Sequence, residues 1–199
     1  MSKLVNDDKS GKISDVKFAY VKLNVASKKY QSQDTEYSVN VIVDKTTAKE
    51  MKKLFPKNKV RDVPTEEFEA KYKFAPPYPD QDDQFVLNFK TNSHQKKNGE
   101  EIPYEWSNRP KVYVPDGEGK VKDVTRELRV ANGSGGVVAF TITETDFGTI
   151  HHLTGILVKD LIELPEYKRQ TPFGEETDSA ENQYEELAEE FDSEEDVGF

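Results

Sequence analysis

The chain has 199 residues, no cysteine and a formal net charge of −10 at pH 7. Its length suits one domain with an appendage, large enough to bury a hydrophobic core without metals or cross-links. The lack of cysteine excludes disulfides, thiolate metal sites and cysteine nucleophiles. Because no apolar run resembles a secretory signal or a membrane span, we expect a soluble cytoplasmic protein.

The first half of the chain predicts three strands. Segments that alternate in polarity and are rich in aromatic and β-branched residues occupy residues 16–24, 36–44 and 84–92. On the first segment, a strict alternation places Phe18, Tyr20 and Lys22 on one face.

Two helices are predicted between the second and third strands. Thr47 and Glu50 have the spacing of a capping box, and an apolar stripe at helical period follows, made of Ala48, Met51, Leu54 and Phe55. A second, shorter helix is predicted to begin at Pro64–Thr65, to include Phe68 and Tyr72, and to end before the proline-rich segment "APPYPD".

The second half of the chain predicts further strands and turns. "QKKNGE" is typical of a turn, "KVYVPDGEGKVKDV" combines a short strand with a glycine-bearing turn, and residues 135–145 and 151–164 are the last two strands. Short strands separated by turn signals favour a mainly β fold, a small barrel of five strands with the helices added to it.

The acidic charge is concentrated at the C-terminus. Residues 174–199 contain 12 acidic residues and no Lys or Arg, which leaves 28 basic and 26 acidic side chains, a net charge of +2, in the rest of the chain. We therefore predict a barrel domain over residues 1–173 and a mostly disordered acidic tail over residues 174–199.

The tail also carries an apolar pattern. Apolar residues recur at helical spacing at Tyr184, Leu187, Ala188 and Phe191. The last residue is Phe199, which follows Asp196 by three positions. A segment this short and this charged is a marginal helix alone, but it can fold on a surface that is basic and apolar. A tail that only solubilises the protein explains the charge but not these rings.

No catalytic, metal or cofactor site is predicted. His151 and His152 are adjacent, so on a strand they point to opposite faces, and His94 stands alone. Asp80, Asp82 and Asp83 lack the spacing of a calcium loop, and "NGSGG" precedes a strand, whereas phosphate loops precede a helix. A metal-dependent nuclease that uses the three aspartates stays open as an alternative.

Aromatic residues interleaved with cations indicate binding of single-stranded nucleic acid, because cations follow the phosphates and rings stack on bases. The candidate residues are Lys17, Phe18, Tyr20, Lys22, Lys90, Lys96, Lys97, Tyr104, Trp106, Arg109 and Lys111. Aromatic residues on strands also form cores. Phe18 and Tyr20 are favoured as DNA contacts because Lys22 shares their face, and Trp106 because it lies in a polar segment.

These features together suggest a role for the tail. A polyanionic peptide tethered to a cationic surface imitates nucleic acid, at an effective concentration on the order of millimolar. It would compete with weakly bound strands and become free when a strand binds tightly. A terminal ring with a chain-end carboxylate suits an apolar pocket with a basic rim on a partner.

The sequence resembles the single-stranded DNA-binding proteins of tailed bacteriophages. The resemblance rests on the order of "YSVNVIVDK", "FVLNFKTNSHQKK", "KVYVPDGEGKVKDV", "NGSGGVVAFTI" and "LTGILVKDLIEL", together with an acidic tail that ends in phenylalanine. The segment over residues 46–79 departs from that pattern in length and composition.

The resemblance implies an oligonucleotide-binding (OB) barrel that coats single strands in phage replication, recombination and repair inside the infected host. It also implies that the tail contacts the phage DNA polymerase and helicase-primase, here through Tyr184, Leu187, Phe191, Asp196 and Phe199, and that copies can form homodimers. We therefore expect a non-enzymatic, sequence-independent binder of single-stranded DNA. The alternative is an adaptor or DNA-mimic protein whose body does not bind DNA.

Overall fold

A computed structural model of the chain describes residues 1–29, 34–97, 100–103, 109–117, 119–146, 148–162 and 164. Within these ranges there are eleven strands and two helices: β1 (Lys3–Asn6), β2 (Ser10–Lys28), β3 (Thr35–Val43), α1 (Lys45–Leu54), β4 (Val60–Pro64), α2 (Thr65–Tyr72), β5 (Asp83–Asn92), β6 (His94–Lys97), β7 (Glu100–Pro103), β8 (Lys111–Pro115), β9 (Val121–Asp123), β10 (Gly135–Thr145) and β11 (Gly148–Asp160). Neither of the two helices in this described part has the length and apolarity that a membrane span requires.

Five strands form the centre of the fold. They lie in the order β5-β3-β2-β10-β11, with every neighbouring pair antiparallel. The layer curves until its two ends approach each other, and there the Thr91 hydroxyl donates a 2.8 Å hydrogen bond to the Leu153 carbonyl. In the described residues no backbone ladder joins β5 to β11, so the barrel is partly open, as OB-folds are. The prediction of a mainly β fold is confirmed.

Among the described residues the main sheet has nine strands, more than the five expected from the sequence. The extra strands are short: β1 pairs with β2, β4 with β5, β8 with β11 in parallel, and β9 with β8. Strands of three to five residues are too short to show a clear alternation, which is why the sequence pattern does not mark all of them. The two strands β6 and β7 form a separate hairpin around residues 98 and 99, which lie outside the described part.

The pairing register of strand β2 shifts at three places, of which one lies between Lys22 and Ser27 and two are bulges at residues with positive φ. Asp15 and Tyr20 have positive φ angles of 56° and 49°, and the pairing register shifts at both places. Each bulge inserts an extra residue, so the side chains on either side of it no longer alternate strictly. Phe18 therefore faces the inside of the barrel while Tyr20 faces the outside.

Helix α1 closes one end of the barrel. Ala48, Met51 and Phe55 are buried in the main core, whereas Leu54, predicted to share their stripe, is 38% exposed. The predicted helix is confirmed, but the predicted capping box is wrong. The N-cap is Asp44, whose carboxylate accepts a 2.9 Å hydrogen bond from the Thr47 amide, and the Thr47 side chain bonds to the backbone of Ser2.

Helix α2 covers part of the outer surface of the sheet, as the centre of a second hydrophobic cluster. Phe68 and Tyr72 are fully buried there. The last carbonyls of a helix have no hydrogen-bond donor within the helix. In α2, side chains from elsewhere in the fold donate to two of these carbonyls. The Tyr20 hydroxyl donates to the Lys71 carbonyl at 2.6 Å, and the Asn132 side chain donates to the Tyr72 carbonyl at 3.0 Å.

Residues 165–199 lie outside the described part of the chain. The predicted tail contacts at Tyr184, Leu187, Phe191, Asp196 and Phe199 therefore stay predictions, as does the division at residue 173. The last described residue, Leu164, donates its amide to the Arg129 carbonyl at 3.4 Å. The strand predicted over residues 151–164 ends earlier, at Asp160.

Candidate nucleic-acid interface

A polar strip crosses the outer side of strands β2, β3 and β5. Lys22 lies opposite Ser38, and Ser38 lies opposite Lys90, so these three side chains form one row across the three strands. The next row on β3 and β5 pairs Asn40 with Asn88, whose side-chain amides are 3.0 Å apart. We call this set the polar strip: Lys22, Ser38, Asn40, Asn88 and Lys90.

The alternation of β3 and β5 places these residues outside. Tyr37, Val39 and Val41 on β3 are buried in the main core, and so are Leu87 and Phe89 on β5. Because successive side chains of a strand point to opposite faces, the polar residues between them lie on the outer side, where Asn40 is only 8% exposed.

The two lysines of the polar strip differ in their surroundings. Lys90 lies 3.3 Å from the carboxylate of Glu36, whose side chain is only 10% exposed. Lys22 has no carboxylate partner within the described residues. An approaching phosphate would therefore meet a free cation at Lys22 and a neutralised one at Lys90.

Two connections border the polar strip at the end where β5 leaves the barrel. The Ser93 amide donates to the Thr35 carbonyl at 2.9 Å, which brings the start of β6 beside the connection from β2 to β3. The exposed Lys28 ends β2 at this point. Lys96 and Lys97 belong to β6, in the hairpin that continues from here. In OB-folds the face of the second and third strands and the loop between the first two bind oligonucleotides, and these elements correspond to β3, β5 and the β2–β3 connection.

Arg109 lies near the gap between β5 and β11. Its guanidinium carbon is 5.9 Å from the centre of the Tyr37 ring, and Tyr37 lies opposite Thr91, the residue that contacts β11. This contact places Arg109 at the barrel gap, against a ring of the inner side, and not on the polar strip.

The prediction that Phe18 and Tyr20 face solvent is wrong. Phe18 is fully buried in the main core, and Tyr20 is 8% exposed, with its ring 5.6 Å from that of Tyr72. The bulge at Tyr20 leaves Phe18 on the inner side, whereas Tyr20 shares the outer side with Lys22 but is buried beneath α2. Neither ring is accessible for stacking on a base.

Lys17 and Lys111 are not part of the polar strip. Lys17 faces β10, 3.8 Å from the Asp160 carboxylate, and Lys111 on β8 lies 3.2 Å from that of Asp123. Burial raises the pKa of Asp123, but the hydrogen bonds from Thr125 and Lys111 outweigh that effect and hold the pKa below its ordinary value. This lysine belongs to a local network of charged and polar groups.

The described residues offer few rings for base stacking. No Phe, Tyr or Trp is among their exposed large apolar side chains, and Tyr113 on β8 is half-buried. Tyr104 and Trp106 lie outside the described part, so their predicted stacking is untested.

The histidines and glycines have structural surroundings. His151 is 6% exposed, and its ring lies 4.4 Å from that of Phe89 and 5.1 Å from that of Phe55. Burial, helped by neighbouring His152, lowers the pKa of His151 to about 4. In the segment "NGSGG", Gly133 has a φ of 90° and donates its amide to the Phe18 carbonyl at 2.9 Å, so this turn braces β2.

The described residues contain no group of three or more His, Asp or Glu side chains placed to hold a metal ion. The sequence reasoning also missed Ser38, Asn40, Asn88 and Glu36 as members of the candidate interface. Their polar character on alternating strands was visible, but only the strand register shows that they lie beside Lys22 and Lys90.

Comparison with known proteins gives matches among solved structures alone: no family profile matches the chain, and no curated protein sequence does. The single-stranded DNA-binding protein gp2.5 of bacteriophage T7 is 13% identical, with a TM-score of 0.45 over 83% of this chain and 91% of that one. The C-terminally truncated single-stranded DNA-binding protein of bacteriophage Enc34 is 18% identical, with a TM-score of 0.41 over 79% and 88%. The Enc34 protein in complex with single-stranded DNA is 17% identical, with a TM-score of 0.37 over 83% and 96%. These structural neighbours are single-stranded DNA-binding proteins of bacteriophages, the class of protein that the sequence resembles.

Proposed function

We propose that this protein is a non-enzymatic, sequence-independent binder of single-stranded DNA. The observation that carries the proposal is the row Lys22–Ser38–Lys90 across the outer side of β2, β3 and β5. A polar, cationic row on this face of an OB barrel suits a phosphate backbone. Contacts to phosphates position a strand without reading its bases, so little sequence preference is expected.

The surrounding groups suggest how the strand is bound. Lys22 contacts a phosphate directly, and a second phosphate displaces Glu36 from Lys90. Lys96, Lys97 and Arg109, three cations that the sequence predicts as DNA contacts, are included in the proposal as further phosphate contacts. Stacking comes from Tyr104 and Trp106, each contributing about 1–3 kcal/mol if a base covers the ring.

The tail gives this binding a regulator. Residues 174–199 carry 12 acidic and no basic residues, so they compete with the strand for the cationic surface of the body, residues 1–173. A tightly bound strand releases the tail. Its apolar residues and Phe199 then become available to the phage DNA polymerase and the helicase-primase.

The biological setting follows from this proposal. The protein coats and protects single strands during phage DNA replication, recombination and repair, in the cytoplasm of the infected host. Pairing of two copies as a homodimer is compatible with a tail that reaches a neighbouring body.

Two single substitutions with opposite expected effects on DNA affinity test the polar strip as the binding surface. Lys22→Gln should weaken binding to a labelled oligo-dT strand several-fold and lower the slope of log affinity against log salt by about 0.7. Glu36→Gln should tighten binding, because it frees Lys90. Lys12→Gln is the matched control, since this exposed lysine lies ten residues earlier on β2. Equal losses for Lys22→Gln and Lys12→Gln would contradict the proposed face.

Truncation tests the regulatory tail. Removal of residues 174–199 should tighten DNA binding at low salt and abolish recovery of the polymerase or helicase-primase in a pull-down. Deletion of Phe199 alone should leave DNA affinity unchanged and reduce that recovery. Unchanged DNA affinity after truncation would count against the competition.

The same truncated protein distinguishes DNA binding by the body from the alternative that the protein is a DNA mimic. The anionic tail is consistent with that alternative too. A mimic needs no DNA-binding surface, so its body would fail to shift single-stranded oligonucleotides even without the tail. Binding of the truncated body to single strands in preference to duplex supports the proposal made here.

A further inference from the structure

Helix α1 carries exposed lysines along its outer side. Lys45, Lys49 and Lys53 follow one another at intervals of four residues, so they lie on one face of the helix. All three are exposed, and none has a carboxylate partner within the described residues. We call these three residues the lysine face.

Helix stability does not explain the lysine face. A helix favours cations in its last turn and anions in its first turn. Lys53 fits that rule, but Lys45 is the first residue of α1, whose first turn contains no acidic residue. Lys45 therefore opposes the helix dipole, and Lys49, in the middle of the helix, gains nothing from it.

Helix α2 and the loop that follows it carry a net negative charge, although Lys71 lies in the last turn of α2 and the exposed Lys73 is its C-cap. Glu69 is exposed on α2, and Asp80 and Asp82 are exposed on the loop. The Thr65 amide donates to the Asp82 carbonyl at 2.9 Å, which holds this loop against the start of α2, next to Glu66 and Glu67. None of these five carboxylates has a Lys or Arg partner in the described part of the chain. We call this set the acidic face: Glu66, Glu67, Glu69, Asp80 and Asp82.

The two faces do not neutralise each other within one copy. Helix α1 contacts the main core at the end of the barrel, whereas α2 packs on the outer side of the sheet in a separate cluster. No ion pair joins the lysine face to the acidic face among the described residues. Each face is therefore free to meet a surface of opposite charge on another molecule.

We propose that the lysine face of one copy binds the acidic face of the next copy. Such a contact joins two different surfaces, so it forms an open array unless the rotation between copies closes a ring. Building on the proposed function, an open array of copies along one strand produces cooperative DNA binding. The contact consists of exposed charges, so cooperativity falls as salt rises.

Charge reversal tests the contact in the full-length protein. The lysine-face variant combines Lys45→Glu with Lys49→Glu, and the acidic-face variant combines Glu69→Lys with Asp80→Lys. These positions avoid the last turn of α1 and the first turn of α2, so helix stability is little affected. Each variant should bind an oligonucleotide that holds one copy with wild-type affinity and lose about tenfold in cooperativity on a long strand.

Combining all four substitutions in one chain should restore cooperativity, because the two faces become complementary again with their signs exchanged. A control variant with Lys12→Glu and Lys159→Glu has the same charge change as the lysine-face variant, on exposed residues of strands β2 and β11. It should retain cooperativity. Thermal unfolding checks that every variant is folded.

Several results would overturn the proposal. Non-cooperative binding by the wild type would do so, as would failure of the fourfold variant to regain cooperativity. An equal loss on the short oligonucleotide would identify the lysine face as a DNA contact. A fourth result would also overturn it: cooperativity that is lost when the tail is removed but kept in the acidic-face variant. The lysine face would then bind the acidic tail and not the acidic face.

Sedimentation of the free protein at low salt separates this inference from the proposed function. If no variant binds DNA, the proposed function fails, and the helix contact is then judged by self-association alone. The single-face variants should lose that self-association and the fourfold variant should regain it. Wild-type protein that stays monomeric at low salt and high concentration, and binds no DNA, would overturn both.

Discussion

The inner and outer sides of strands β2, β3 and β5 have different roles. Inside, Phe18, Tyr37 and Phe89 are buried in one core, whereas outside Lys22 and Lys90 form the polar strip with Ser38. The sequence interleaves rings and cations on these strands, and folding buries the rings, most of them on the inner side and Tyr20 beneath α2 on the outer side. Alternating aromatic and cationic residues therefore predict that one side of a strand faces solvent. They do not predict that the aromatic rings lie on that side.

The sharpest test of this contrast is to remove an inner ring. Phe18→Ala should lower the free energy of unfolding by about 3–5 kcal/mol, because Phe18 is fully buried and a cavity would remain. Urea denaturation measures the loss, and Phe18→Leu should recover much of it. The protein that remains folded should bind DNA normally. A DNA defect without a stability defect would place Phe18 outside the core.

A buried histidine on the inner side makes stability depend on pH. The pKa of His151 is lowered from 6.5 to about 4 by burial, so below pH 6.5 the unfolded chain binds a proton that the folded protein does not. The neutral state of His151 therefore contributes about 3 kcal/mol to the unfolding free energy. This contribution is complete above pH 6.5 and is lost as pH falls to 4. His151→Phe should flatten this part of the curve of unfolding free energy against pH. An unchanged curve would contradict the assignment.

A smaller effect is expected where the outer side is covered by α2. Tyr20→Phe removes the 2.6 Å hydrogen bond to the Lys71 carbonyl but keeps the ring. The expected cost is about 1 kcal/mol, together with faster hydrogen exchange at the end of α2. Tyr20→Ala should cost more because it also removes the ring from the second cluster. A DNA defect in Tyr20→Phe equal to that of Lys22→Gln would restore Tyr20 as a DNA contact.

The smallest effect on stability is expected on the polar strip. Replacing both members of the ion pair, with Lys90→Gln and Glu36→Gln, should change the unfolding free energy by less than about 1 kcal/mol. Lys90→Gln alone should cost more than the double substitution, because it leaves the largely buried carboxylate of Glu36 unpaired. A double substitution as damaging as Phe18→Ala would show that the outer side also holds the fold together.

The sequence patterns predicted the long elements well. Periodicity located the central strands of the barrel, and the apolar spacing of α1 and α2 located both helices. These patterns did not predict features that depend on contacts with residues distant in sequence. The cap of α1 is Asp44, held with Thr47 by Ser2 from the N-terminus, and the bulge at Tyr20 is braced by Asn132, which accepts its amide hydrogen at 2.8 Å.

The candidate site was predicted in part. Lys22 and Lys90 were identified as single residues, but their common row depends on the register of three strands, and so does the inclusion of Ser38 and Glu36. Lys17 and Lys111 have the same chemistry in the sequence, yet the fold places them beside Asp160 and Asp123.

The sequence by itself determined the mainly β barrel, the two helices, and the split between a near-neutral body and an acidic tail, because periodicity and charge are local properties of a chain. The tertiary structure decided which side of β2 each ring occupies, which lysines share a row and which charges are already paired. Those outcomes depend on bulges, strand register and contacts between residues distant in sequence, and no local pattern contains them.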